Sequence, residues 1–277
     1  MTLIGITRIV RQSLVCLRAC GFKPAVTFLY VNLLRKAGSK GSRTYQLRLR
    51  GLPHPIYLRG GRADFFVFAQ IFADEEFAPI RQLDLSAIVD LGGNIGLASV
   101  WLLNAFPRAQ LVAVEANPDN YPSLEANLQP FGERATVVKG GVWWRRAPLT
   151  LVRRQNESDA YVREAIPGDN PADLMDGWDI PALMARKGFS RIDLLKIDIE
   201  GAETDLFLKD AGRWLPLVRN LSVELHGPEC EAALEHALAP YTYQRQVRGE
   251  LTFCFDLRPR RPLPVESAVT ATQNSVP

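Results

Sequence analysis

Ile88-Val89-Asp90-Leu91-Gly92-Gly93-Asn94-Ile95-Gly96 reads as a buried strand running straight into a glycine-rich turn. From Ile88 to Leu91 only Asp90 is polar, as expected of a strand covered on both faces. Gly92, Gly93 and Gly96 allow the backbone to turn sharply and to approach a ligand with no Cβ in the way. The apolar run over residues 97–105 then predicts a helix, whose start offers unpaired N–H groups and a positive dipole end. The dinucleotide fingerprint G-x-G-x-x-G is not met, because the order from Gly92 is G-G-N-I-G; the pattern that stands is D-x-G-x-N-x-G. An acid ahead of such a loop repels a pyrophosphate but can receive a ligand ammonium.

Outward from this stretch the same rhythm repeats. Strands are predicted over 111–115, 135–138, 192–199 and 221–225, and helices over 120–128, 180–187, 203–208 and 229–238. Residues 149–152 are expected to form a strand bordering a polar loop through 169, and 243–246 with 251–257 a terminal hairpin. Apolar strands alternating with helices indicate an α/β fold, a mostly parallel sheet with helices on both faces. Upstream, residues 1–38 read as one or two helices, 38–42 as a small-residue connector, and 45–50 with 56–59 as a hairpin. Phe65, Phe68, Ile71 and Phe72 recur at helical spacing and are expected in the core rather than around a cofactor. The expected organisation is therefore an N-terminal helical and hairpin lead-in over 1–84, an α/β domain over 85–258, and a Pro/Ser/Thr-rich mobile tail over 259–277.

Composition narrows the function classes. With 277 residues, 47% of them hydrophobic, the chain can build one large core. Thirty-three Lys and Arg against thirty Asp and Glu leave a net charge of +3, too balanced for a chain whose main task is to hold a polyanion. Four cysteines without metal-ligand or disulfide-framework spacing point to a reducing, cytoplasmic setting. No apolar run reaches the roughly 18 residues of a membrane span. In residues 1–20, Arg8, Arg11 and Arg18 share one helical face and apolar side chains gather elsewhere. Packing of the apolar side on the neighbouring domain is the expectation, with peripheral membrane contact as the alternative.

Three further groups carry chemistry. Glu115 ends the second strand nineteen residues after Gly96, where an acid can accept both hydroxyls of a ribose. Alternation places Lys196, Asp198 and Glu200 on one side of the fourth strand, and Ser222, Glu224 and His226 on one side of the fifth. Buried charges need partners, so Lys196 is expected to pair with Glu224 while Asp198 and His226 face the reacting centre. No metal is expected between Asp198 and Glu224, because the in-strand lysine competes for their charge. The pairs Arg145-Arg146 and Arg153-Arg154 read as a solvated face, or as contacts to an anionic acceptor. Trp143 and Trp144 read as packing or as a stacking surface, and Asn156-Glu157-Ser158 as a chance match to a glycosylation site.

The segments Ile88 to Gly96, Ala113-Val114-Glu115-Ala116-Asn117-Pro118, Asp193 to Glu203 and Val223-Glu224-Leu225-His226 resemble the FkbM family of S-adenosylmethionine-dependent methyltransferases. The run Leu194-Leu195-Lys196-Ile197-Asp198-Ile199-Glu200-Gly201-Ala202-Glu203 carries most of the likeness, and 57–72 resembles the family's lead-in. The resemblance implies a class I methyltransferase sheet with a reversed final strand, and O-methylation of a hydroxyl on a sugar, glycan or secondary metabolite. It implies that Asp90 holds the methionine ammonium, directly or through water. Gly92, Gly93 and Gly96 admit the cofactor, Asn94 shapes the loop, and Glu115, with Ala116 and Asn117 beside it, takes the ribose. The general base is then His226 or Asp198, with Glu224 orienting His226 or Lys196. Gly140-Gly141-Val142-Trp143-Trp144 departs from the small, polar stretch expected after the third strand. The competing readings are a cofactor-binding, non-catalytic module at a membrane or partner surface, and a nicotinamide-dependent dehydrogenase. No nucleic-acid substrate is expected, since the Asn/Asp-Pro-Pro-aromatic signature that grips an extruded base is missing after the fourth strand.

Overall fold

The two-sided apolar strands assemble as their composition requires. In the computed structural model, which describes residues 13–18, 20–36, 43–60, 62–153 and 160–260, they form a seven-stranded sheet. Its strands are β3 (Ala87–Leu91), β4 (Gln110–Glu115), β5 (Ala135–Lys139), β10 (Leu194–Ile197), β11 (Leu221–Glu224), β12 (Tyr241–Arg248) and β13 (Leu251–Pro259). Their order is β12-β13-β11-β10-β3-β4-β5. The five strands from β11 to β5 are mutually parallel, and β13, the last in sequence, runs against β11. The chain leaves β3 towards β4 on one side and later returns to β10 on the other. That reversal opens a crevice beyond the carboxyl ends of β3 and β10, the usual ligand position in an open α/β sheet.

Successive side chains of β3 feed opposite cores. Ile88 packs with the helices α3 (Leu97–Ala105) and α4 (Tyr121–Leu128). Val89 and Leu91 pack on the other face with α5 (Ile180–Lys187), α6 (Glu203–Trp214) and α7 (Pro228–Leu238). Trp214, the largest fully buried side chain, anchors this second core, and truncating it to alanine is expected to cost about 3–5 kcal/mol.

The lead-in comprises helix α1 (Phe22–Lys36), the antiparallel pair β1 (Thr44–Leu47) and β2 (Ile56–Arg59), and α2 (Asp64–Phe68), which passes into a π-turn over Ala69–Ala73. Residues 13–18 are also helical. Phe65, Phe68, Ile71 and Phe72 are buried among α1 and α3, as expected. Asn127 ties the lead-in to the sheet domain: its side-chain carbonyl accepts from Tyr57 N (2.7 Å), and its amide donates to Ile95 O (2.7 Å). The four thiols are free and buried, and among the described residues no helix is long and apolar enough to cross a membrane. The predicted connector over 38–42, the first twelve residues, and the tail beyond 260 lie outside the described residues.

One expectation fails. The polar loop predicted through 169 contains β8 (Ala160–Glu164) and is followed by β9 (Leu174–Trp178). With β7 (Pro148–Arg153) and the two-residue β6 (Gly141–Val142) they make a second sheet, ordered β6-β9-β7-β8. Val162 is the only buried residue of β8, and Gly177 the only buried residue of β9. Strands this polar form because β7 pairs with both of them, and pairing of that kind leaves little periodic signal in a sequence.

Candidate active site

The loop after β3 is fixed by backbone bonds to the neighbouring strand. The N–H groups of Gly92 and Gly93 both donate to Val114 O, at 3.0 and 2.7 Å. Gly92 has φ +82°, and a Cβ there would run into the backbone carbonyl of Asp198. Only glycine permits this approach between the ends of β3 and β10. Asn94, at φ 49°, aims its N–H at Glu115 Oε2 (2.7 Å). Glu115 Oε1 accepts from Asn117 N (2.8 Å) and Asn120 Nδ2 (3.0 Å). Burial pushes the Glu115 carboxyl up from its ordinary range, and these three donors oppose that push.

Asp90 is completely buried and lines neither of the two clefts beside the β3 turn. Its carboxylate pairs with Lys196 Nζ (2.9 Å) and accepts from Ser99 Oγ (2.6 Å). Direct contact with a ligand ammonium is therefore not its role in this geometry. The expected Lys196–Glu224 pair is not formed either. Strand register explains both corrections. Lys196 stands opposite Asp90 on one neighbour and Ser222 on the other, so Glu224 is a two-residue step further along, level with Asp198. Lys196 Nζ also donates to Gly92 O (2.9 Å) and sits 3.5 Å from Asp198. Burial disfavours its charge, but the carboxylates of Asp90 and Asp198 outweigh burial and raise its pKa.

At the ends of β10 and β11 the chain gathers a second set of charges. His226 Nδ1 lies 3.0 Å from Oε1 of the fully buried Glu203, at the start of α6. Glu203 also accepts from the N–H groups of Ile199 and Gly201, each at 2.8 Å, so it is rigidly held. Burial would raise its pKa, but bonds from His226 and the backbone bring it below the ordinary value. With Nδ1 committed, His226 Nε2 faces Glu200 (3.6 Å) and Glu224 (3.8 Å). Sequence reasoning gave Glu224 the orienting role that Glu203 performs. Glu203 was visible as the last residue of the Leu194 to Glu203 run, but it lies beyond the strand, where alternation says nothing. The Glu203 hydrogen bond, with the nearby carboxylates, pushes the imidazole up to about 9. Burial and the Asp198 charge push Glu224 up to about 8. Asp198, Glu224 and His226 bring one donor atom each within 4.8 Å of one another, a set that could hold a cation. Lys196 already supplies positive charge at the edge of this set, which favours acid–base work over cation binding.

Two clefts meet over this floor with Gly92 and Asp198 as their common wall. One is lined by Glu115, Ala116, Asn117 and Gly140. The other is lined by Gly93, Asn94, Lys196 and Glu224, and by Gln70 and Glu76 from the lead-in. The turn between β12 and β13 clasps the lead-in beside it: Gln70 Nε2 donates to Glu250 Oε2 (2.7 Å) and Arg248 Nη2 to Asp74 O (3.0 Å). Gly96 caps α3 in a left-handed conformation, against Leu124 and Leu128, and lines neither of these clefts.

Residues 90–245, more than half of the chain, match the methyltransferase FkbM domain. The chain belongs to the FkbM methyltransferase family. This methyltransferase is 29% identical over 208 residues to methyltransferase sdnD of Sordaria araneosa, covering 61% of this chain and 80% of that one. It is 27% identical over 181 residues to methyltransferase 1 of Beauveria bassiana, covering 58% and 72%. The crystal structure of methyltransferase FkbM from Methylobacillus flagellatus superposes with a TM-score of 0.45 at 18% identity, over 62% of this chain and 43% of that one. Family membership removes the dehydrogenase alternative. The matched region holds every site residue named above except Gln70, Asp74, Glu76 and the β12–β13 turn with Arg248.

Arg145, Arg146, Arg153 and the two tryptophans of this methyltransferase lie at the small sheet. Arg145 pairs with Glu164 (2.7 Å) and Arg153 approaches Asp119 (3.6 Å), both at the surface. Trp143 donates to Glu164 (2.8 Å) and packs in the small core with Trp144 against it, and neither lines the two clefts described above. Arg154 and Asn156-Glu157-Ser158 lie outside the described residues.

Proposed function

We propose that this methyltransferase uses S-adenosylmethionine and methylates a hydroxyl of a sugar, glycan or secondary-metabolite acceptor, with His226 accepting the hydroxyl proton. The observation that carries the reading is the wall shared by two clefts, Gly92 and Asp198, with the aimed imidazole of His226 next to it. The residues fit the cofactor. Glu115 offers a carboxylate beside a cleft whose other walls are backbone and small side chains, which suits a ribose and its base. The other cleft presents the carboxylates of Asp198 and Glu224, which suit a cationic amino-acid end. When bound, the sulfonium supplies an electrophilic methyl group on a good leaving group.

What remains for the protein is alignment and proton handling. Lys196 locks the Gly92 carbonyl and Asp198 into one rigid unit, fixing the wall against which the reactants align. Glu203 holds Nδ1, which leaves Nε2, on the side of Glu200 and Glu224, as the atom to meet an acceptor hydroxyl. An alcohol keeps its proton at neutral pH, so a positioned base contributes about a hundredfold or more. The test is S-adenosylhomocysteine release from S-adenosylmethionine with a pool of hydroxylated acceptors. Acceptor-dependent release that falls in His226→Gln, with S-adenosylhomocysteine binding intact, supports the reading. Unchanged turnover in that variant overturns the base assignment, and a methylated amine product overturns the acceptor class. Cofactor binding with no release against any pool leaves a non-catalytic module.

A further inference from the structure

The charge of this chain is unevenly distributed. Residues 1–63 contain twelve Lys or Arg and not one Asp or Glu; the first acid is Asp64. All thirty acids lie from there on, against 21 bases, so the near-neutral total conceals a cationic lead-in and an anionic body. Part of the lead-in is α1, whose two faces differ sharply. Ala25, Phe28 and Val31 are buried, and the Phe28 ring packs on Phe65 (6.5 Å between centroids) and Phe68 (6.4 Å). On the outer face Phe22, Val26 and Tyr30, four residues apart, are 72%, 48% and 53% exposed. Leu14 and Leu17, in the helical residues just before, are exposed as well.

Cations border this apolar row. Lys23 and Arg48 share a shallow groove with Phe22 and Val26, and Arg18 is exposed nearby in sequence. Among the described residues no carboxylate lies within ion-pair distance of Arg18, Lys23 or Arg48. An exposed aromatic and aliphatic row rimmed by unopposed bases marks a contact surface. A nucleic acid would engage the bases but leave Val26 and the leucines in water. An anionic bilayer satisfies both elements, because its phosphates meet the bases and its acyl boundary takes the apolar row.

We propose that α1 docks this protein on an anionic lipid bilayer, with Phe22, Val26 and Tyr30 entering the headgroup boundary and Arg18, Lys23 and Arg48 meeting lipid phosphates. The docking face sits in α1 rather than only in the first twenty residues. Through Phe28, Phe65 and Phe68 it backs onto the segment that contributes Gln70 and Glu76 to a cleft wall. The surface does not depend on which acceptor is methylated, so it stands or falls separately from the proposed reaction.

The experiment is co-sedimentation of the full chain with vesicles of phosphatidylcholine alone, or of phosphatidylcholine with phosphatidylglycerol at roughly three to one, at low and raised salt. Binding is expected only to the anionic vesicles, weakened by salt. The variant Phe22→Ser/Val26→Ser/Tyr30→Ser is expected to lose at least about tenfold in partitioning. Lys23→Glu/Arg48→Glu is expected to lose about fivefold or more per charge. Far-ultraviolet circular dichroism and S-adenosylhomocysteine binding report that both variants remain folded, as their exposed positions require. The proposal is overturned if the wild-type chain stays in solution with anionic vesicles, or if it binds neutral vesicles equally. It is also overturned if the triple variant pellets as well as wild type, or if that variant abolishes self-association or nucleic-acid binding while vesicle binding persists.

Discussion

The floor under Lys196 and the rim around His226 lie within a few residues of each other, yet they follow opposite electrostatic rules. In the floor every carboxylate is matched. Asp90 has Lys196 and Ser99, and Glu115 has three N–H donors. At the rim one imidazole faces four carboxylates, from Asp198, Glu200, Glu203 and Glu224, with Lys196 touching only Asp198. A matched set has one protonation state and one geometry, which suits holding a ligand. Several carboxylates gathered around one imidazole share protons, which suits moving one.

Breaking the floor is expected to have the largest effect. Lys196→Met strands a fully buried Asp90 carboxylate, and denaturant unfolding should show a loss of about 3–5 kcal/mol. Next comes the rim: His226→Gln should lower kcat by roughly a hundredfold or more while S-adenosylhomocysteine affinity stays near wild type. A smaller effect is expected where the two regions touch. Gly92→Ala drives a methyl group into the Asp198 carbonyl at a left-handed backbone position, so calorimetric S-adenosylhomocysteine affinity should fall by about tenfold. A mutant that binds normally would show that the wall yields.

The subtlest contrast lies in pH. His226 must be unprotonated to accept a proton, so kcat/KM should climb with pH towards a plateau above about 9. Glu203→Gln removes the principal cause of the raised pKa and should move that limb to lower pH, a displacement that a purely structural role would not produce. Stability runs the other way. The folded pKa of about 9 exceeds the ordinary 6.5, so the stabilisation from pairing is full below 6.5 and is lost as pH rises through 9. The stability difference between wild type and His226→Gln should therefore shrink by roughly 1–2 kcal/mol between about pH 6 and 9.5, allowing for partial solvent screening. The difference between wild type and Gly92→Ala, which keeps both His226 and Glu203, should lack this pH dependence.

The same contrast governs what was legible in the sequence. The β3 turn, Glu115 and the Leu194 to Glu203 run stand out because continuous apolar strands make any charge within them conspicuous. The partner of Lys196 was not legible, because alternation gives a side chain's face while only the register between strands gives its neighbour. Glu203 was hidden for a related reason: it belongs to the first turn of α6 and reaches His226 across the fold. The strands β8 and β9 escaped because their polar sequences pair through β7 rather than through a buried face of their own.

The clasp between the β12–β13 turn and the lead-in has a consequence for how the molecule comes into being. The Gln70–Glu250 bond joins positions 180 residues apart, so a chain still emerging from the ribosome can complete β3, β4 and their glycine turn long before it can seal the neighbouring cleft. An unfinished chain therefore presents Gln70 without its distant partner.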